Sequence, residues 1–113
     1  MGHVLPIGSV VEAHNEKLFL LGSRMVTKDG KMTLAYVAVK YPLGYSGKES
    51  VGTVLAEDIK TVLFEGNAGE TGKKYYAALE TMYEGAQGKT PEEAADIMDK
   101  AALVYGYQKW KKR

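Results

Sequence analysis

The spacing of apolar and polar positions changes once along the chain, near residue 66. Before that point, short apolar runs are separated by clusters of Gly, Asp, Asn and Ser, a pattern typical of strands joined by turns. After it, apolar residues recur every three or four positions, which predicts helices. We therefore predict a single domain over residues 1–113, with a β-rich part at 5–66 and a helical part at 67–113.

One hairpin in the β-rich part can be predicted in register. Asp29-Gly30 separates two apolar runs, and this dipeptide favours a type I′ turn, which needs a positive φ at both positions. Both faces of the hairpin are apolar, so we expect one face to meet the core of the sheet and the other to be covered by the helices. The turn predicts these opposing pairs: Lys28 and Lys31, Met25 and Leu34, Gly22 and Val37, Leu20 and Val39.

Short strands are also predicted near residues 8–13, 51–55 and 59–65, with a loop at 42–49. The helical part places Tyr75, Leu79, Met82 and Tyr83 on one face of a helix over 73–85. A second helix is predicted to begin at Thr90-Pro91-Glu92-Glu93, where Thr is the N-cap, Pro occupies the first helical position and Glu completes a capping box. The predicted fold class is α+β: a small antiparallel β-meander or SH3-like roll of four to five strands, followed by two C-terminal helices.

Composition narrows the possible chemistry. The chain has no Cys, which excludes disulfides, thiolate metal sites and a Cys nucleophile. His3 and His14 have no further ligand at metal-binding spacing, and no glycine pattern has the form of a nucleotide loop. The glycine-rich segment 66–73 lacks the Ser or Thr of a phosphate loop and is predicted to be a flexible linker. We therefore expect a non-catalytic protein with no metal and no cofactor.

The sequence also favours a cytoplasmic protein that does not insert into a membrane. No apolar run approaches the roughly 20 residues of a membrane span, and the N-terminus has no secretory signal pattern. The net charge is +1, so no strong global field attracts nucleic acid. Residues 109–113 nevertheless carry four positive charges beside Trp110, and this tail could complement the helix dipole or dock an acidic partner.

Two sets of aromatic residues are candidate binding residues. The first could form an apolar strip on the helical pair that binds a protein, and it consists of Tyr75, Tyr76, Met82, Tyr83, Tyr105 and Trp110. The second could stack bases and hold phosphates on a small barrel, and it consists of Tyr36, Tyr41, Tyr45, Lys40 and Lys48. The near-neutral charge of residues 1–66 does not favour nucleic acid. The alternative interpretation of the three tyrosines is a core residue, a strand-end residue and a loop anchor.

Three segments in order resemble a known bacterial family. They are Leu5-Pro6-Ile7-Gly8-Ser9-Val10-Val11, then Tyr41-Pro42-Leu43-Gly44-Tyr45, then Glu57-Asp58-Ile59 with Val62 and Phe64-Glu65-Gly66. Over residues 5–66 the chain resembles the Firmicute domain-of-unknown-function family DUF4176. The resemblance implies a small β-rich protein without established catalysis. Members of the family are often encoded beside type VII secretion systems and their LXG-type toxins.

The resemblance suggests a chaperone or targeting adaptor that binds an exported LXG-type effector encoded nearby. A small-barrel RNA-binding protein is the alternative function, and a homo-oligomer is left open. The positions marked by the resemblance, Gly8, Pro42, Gly44 and Gly66, are interpreted as turn and strand-boundary residues.

Overall fold

The structure is a computed structural model that describes residues 4–95. Within this range a five-stranded antiparallel sheet precedes an 18-residue helix, so the predicted α+β class is confirmed. Two short 3₁₀ turns occupy Lys48–Ser50 and Ala56–Asp58, and residues 91–95 begin a second helix. The main elements are β1 (Val10–Ala13), β2 (Glu16–Lys28), β3 (Lys31–Lys40), β4 (Val51–Leu55), β5 (Ile59–Phe64) and α1 (Gly69–Ala86).

The strand order is β4-β3-β2-β1-β5, so β1 to β4 form a meander and β5 returns to pair with β1. The two edge strands are joined only by residues 56–58. Four inter-strand steps would separate the edges of a flat sheet by roughly 19 Å, whereas the chain from Leu55 to Ile59 reaches at most about 14 Å. The open sheet must therefore curl strongly.

The β2–β3 hairpin confirms the predicted turn and most of the predicted register. Asp29 and Gly30 have φ values of 53° and 78°, and Gly22 lies opposite Val37 as expected. The prediction of Leu20 opposite Val39 is wrong, because a bulge at Leu21 shifts the register by one residue. Leu20 instead lies opposite Ala38, and Phe19 lies opposite Val39.

Helix α1 covers one face of the sheet, which we call the inner face. Leu20, Val11 and Tyr36 are at most 2% exposed there and belong to the same core cluster as Tyr83 and Ala86 of α1. The remaining members of that cluster are Val4, Leu5, Ala13, Met25, Leu34, Ala38, Val54 and Ala94. The prediction of a flexible linker over 66–73 is wrong in its second half, since α1 begins at Gly69 and Asn67 Oδ1 accepts the Gly69 N–H at 3.0 Å.

The connection after α1 closes the part of the β3 edge that β4 does not reach. Met32 N–H donates to the Lys89 carbonyl at 2.8 Å, and Leu34 N–H donates to Gln87 Oε1 at 3.3 Å. The second helix then begins as predicted, with Glu93 N–H donating to Thr90 Oγ1 at 3.4 Å. The predicted continuation of this helix to Tyr107 lies outside the described residues.

Alkaline pH is expected to destabilise the protein through two buried tyrosines. Burial raises the pKa of Tyr36 and of Tyr83 above the usual 10.0. Above pH 10 the unfolded chain therefore releases these protons while the folded protein retains them, so the free energy of unfolding falls as pH rises through the folded-state pKa values. We expect the urea midpoint of Tyr36→Phe and Tyr83→Phe variants to fall less between about pH 9 and pH 11.5 than that of the wild type.

The wild type must be compared with the tyrosine variants because Lys28 also lowers the free energy of unfolding at high pH. Its hydrogen bond and ion pair with Glu57 raise its pKa above 10.5, so its contribution is also lost at high pH. If the urea midpoints of the Tyr36→Phe and Tyr83→Phe variants fall with pH as steeply as that of the wild type, the assignment to Tyr36 and Tyr83 is contradicted.

Candidate protein-binding surface

The face of the sheet opposite α1, which we call the outer face, carries an apolar row that crosses every strand of the described sheet. The register places Phe64 beside Val10, Val10 beside Phe19, Phe19 beside Val39, and Val39 beside Val51. Val10 and Val39 are buried by their neighbours but do not belong to the core cluster under α1. The outer face is thus a second apolar surface, separate from the inner core.

The β5 end of this row opens into a groove, which we call the outer-face groove. Its volume is about 580 Å³. Three of its apolar side chains are strongly exposed: Phe64 at 61%, Tyr41 at 49% and Leu63 at 46%. Its full lining is Gly8, Val10, Lys17, Phe19, Tyr41, Leu63 and Phe64.

The backbone pairing of the strands determines which side chains line the groove. Tyr41 N–H donates to the Lys17 carbonyl at 2.9 Å, which extends the β2–β3 ladder by one residue and holds Tyr41 beside Phe19. Leu63 has no partner on β1, because Val10 pairs with Phe64 and Val11 pairs with Val62. This bulge pushes Leu63 out of the ladder and adds its side chain to the groove.

The groove has the chemistry of a contact surface. Lys17 is the charged residue in its lining, and Glu12 lies opposite Lys17 on β1. Among residues 4–95 no group of three His, Asp or Glu side chains could hold a metal ion. Aromatic and branched apolar side chains around a shallow depression favour binding of another apolar surface.

The residues of the predicted helical strip do not form one exposed surface in the structure. Tyr83 is 4% exposed and its hydroxyl lies 3.1 Å from Ser23 Oγ, while Met82 packs against the same core. Tyr76 Oη accepts the Ile7 N–H at 3.0 Å, so its polar end anchors the N-terminal segment. Tyr75 is 49% exposed and packs edge-on against Tyr76. Tyr105 and Trp110 lie outside the described residues.

The set predicted for RNA is also divided. Tyr36 is 2% exposed and its hydroxyl oxygen accepts the Leu5 N–H at 3.0 Å, so its ring cannot stack on a base. Its inclusion was wrong, because Tyr36 alternates along β3 with Leu34 and Ala38 on the inner face and belongs to the same core cluster. Lys40 pairs with Glu16 at 3.3 Å, and Lys48 begins a 3₁₀ turn. Tyr41 and Tyr45 are exposed, but only Tyr41 lines the outer-face groove.

Sequence reasoning did not identify Phe19, Leu63 or Phe64 as candidate residues. The available signal was the hairpin with two apolar faces, since a helix pair can cover only one of them. One bulge turns Leu63 toward the groove and another changes the strand face on which Phe19 lies. Neither bulge can be recognised from the hydrophobic pattern.

The comparisons with known proteins give one match. The family model described as "Domain of unknown function (DUF4176)" matches residues 4–74, which is more than half of the chain. Neither the curated proteins nor the solved structures contain a match. Within the described residues no helix is long and apolar enough to cross a membrane.

Proposed function

The chain belongs to the DUF4176 family, and we propose that it acts as a non-catalytic protein-binding module whose contact surface is the outer-face groove. The observation that supports this is the exposure of Phe64, Leu63 and Tyr41 around one depression. Exposed apolar side chains that cluster around one depression are typical of interaction sites.

Such a groove suits a partner that supplies apolar side chains. Aromatic residues at the centre of a desolvated contact carry much of the binding energy, and Phe19 at the floor with Phe64 at the rim would supply it here. The partner in this proposal is an exported LXG-type effector of a type VII secretion system, encoded nearby and held in the cytoplasm as a chaperone or targeting adaptor would hold it.

The test is co-expression of the tagged chain with the neighbouring toxin gene, followed by measurement of the affinity of the pair. We expect a stable complex that a Leu63→Ser, Phe64→Ser variant weakens by at least about 30-fold, as loss of a 2 kcal/mol contact predicts. The substituted side chains are exposed at 46% and 61%, so the folded state should survive.

Leu43→Ser is the matched control. Leu43 is 79% exposed but does not line the groove, so its replacement should leave the affinity within about threefold of wild type. If no neighbouring product binds, or if the control weakens the complex as much as the groove variant, the proposal is wrong.

A further inference from the structure

The free edge of β4 is a second surface that the outer-face groove does not use. β4 is the terminal strand of the sheet and pairs only with β3 among the described residues. Its five residues, Val51–Leu55, contain no charge and no Pro, and their pairing with β3 has no bulge. Regular, uncharged edges of this kind are templates for another strand.

The backbone groups that point outward from β4 can be identified. Met32 and Leu34 donate their N–H groups away from β2, whereas Tyr41 donates to β2, so even-numbered residues of β3 face the β4 side. Tyr36 and Ala38 lie opposite Val54 and Gly52, which makes these the hydrogen-bonded pairs of the β3–β4 ladder. Both the N–H and the C=O of Thr53 therefore point to the free edge, together with the N–H of Leu55 and the C=O of Val51. The Val51 N–H is already used, because it donates to the Lys48 carbonyl.

The opposite edge of the sheet, β5, is protected against the addition of another strand, whereas the β4 edge is not. β5 has two register irregularities against β1 and carries Lys60 as its second residue. Bulges and lysines are the devices that discourage strand addition at an edge. The exposed Gly52 and Thr53 of β4 have no comparable protection.

We propose that two copies of this chain pair through β4, antiparallel, with Thr53 on the two-fold axis. This arrangement places Thr53 opposite its own copy and Val51 opposite Leu55, so the paired segment contains no charged residue. Val51, Thr53 and Leu55 lie on the outer face with Val39, Val37 and Ala35. The apolar row that crosses the sheet would continue from Val51 onto Leu55 of the second copy.

The proposed pairing is independent of the proposed function. The outer-face groove lies at the β5 end of the sheet, so either surface can be occupied without the other. A single five-residue strand buries little area compared with a standard interface, so the dimer should be weak and should form at roughly 10–500 µM chain.

The two-fold axis at Thr53 provides a sharp test by analytical ultracentrifugation of the full chain. Thr53 is exposed, so substitution there should leave the fold intact. A Thr53→Lys or Thr53→Glu variant places two like charges opposite each other and should raise the dimer dissociation constant by at least about tenfold. An equimolar mixture of the two variants should restore the dimer, because Lys then faces Glu, and Thr53→Val should dimerise like the wild type.

The result is decisive in either direction. A wild-type chain that stays monomeric up to about 500 µM would show that two copies do not pair through this edge, and would overturn the proposal. A dimer insensitive to Thr53→Lys, or a mixture that does not re-associate, would do the same by placing the interface elsewhere.

Discussion

Replacement of Gly66 with Ala is expected to lower the free energy of unfolding by about 3 kcal/mol, the upper part of the range for overpacking. An added Cβ would lie 2.3 Å from the Ile7 carbonyl oxygen and 3.1 Å from the Ser9 nitrogen. Both neighbours are backbone atoms and cannot move aside alone. Gly66 N–H also donates to Ser9 Oγ at 2.9 Å, and Ser9 is fully buried, so displacement would strain the contact between β5 and the N-terminal segment.

Urea denaturation of Gly66→Ala measures this effect, and Gly22→Ala is the matched control. Gly22 also belongs to the sheet, but no atom lies within 4 Å of the position of its added Cβ. Its replacement should change stability by less than about 1 kcal/mol. If both variants lose the same free energy of unfolding, the cost of replacing Gly66 comes from a general preference for glycine in the sheet and not from its close approach to Ile7.

Truncation of Tyr36 to Ala is expected to cost about 4 kcal/mol, as large aromatic-to-alanine changes in a core do. The ring is among the largest fully buried side chains, and its hydroxyl is the partner of the Leu5 N–H. Tyr36→Phe separates the two contributions, since it keeps the ring but leaves that amide unpaired. Its expected cost is about 1–3 kcal/mol.

Tyr45→Ala provides the comparison for Tyr36→Ala in denaturant unfolding. Tyr45 is 67% exposed, so its truncation should change the free energy of unfolding by no more than about 0.5 kcal/mol. If the two truncations cost the same, Tyr36 does not occupy the core.

Local signals predicted the parts of the fold that short segments specify. The Asp29-Gly30 turn and the helix start at Thr90 were both located from the sequence, because each depends on the conformation of a few consecutive residues. Gly66 was placed correctly at a strand boundary, but its reason was missed. The interpretation as a turn residue concerned backbone freedom, whereas the structure shows a contact with residues nearly 60 positions earlier.

The candidate surface could be predicted only in part. The hairpin was recognised as apolar on both faces, but one face was expected to meet the core of the sheet and the other the helices, so an exposed apolar face was not predicted. Phe19, Leu63 and Phe64 come together because of one bulge in β2 and one in β5, and a bulge adds a residue without changing the residue types that form it. The tyrosines were easier to separate, since Tyr36 lies in the predicted hairpin strand and is 2% exposed, whereas Tyr45 lies in the predicted loop and is 67% exposed.

By itself, the sequence determined the α+β order of elements, the hairpin turn, the second helix start and the absence of cysteine chemistry. These follow from periodicity, local backbone preference and composition, which need no information about distant residues. The tertiary structure alone decided the return of β5 to β1, the side of the sheet that α1 covers, and the outer-face groove left at the β5 edge. Each of these depends on pairing between residues far apart in the chain, where a one-residue shift in register exchanges the two faces of a strand.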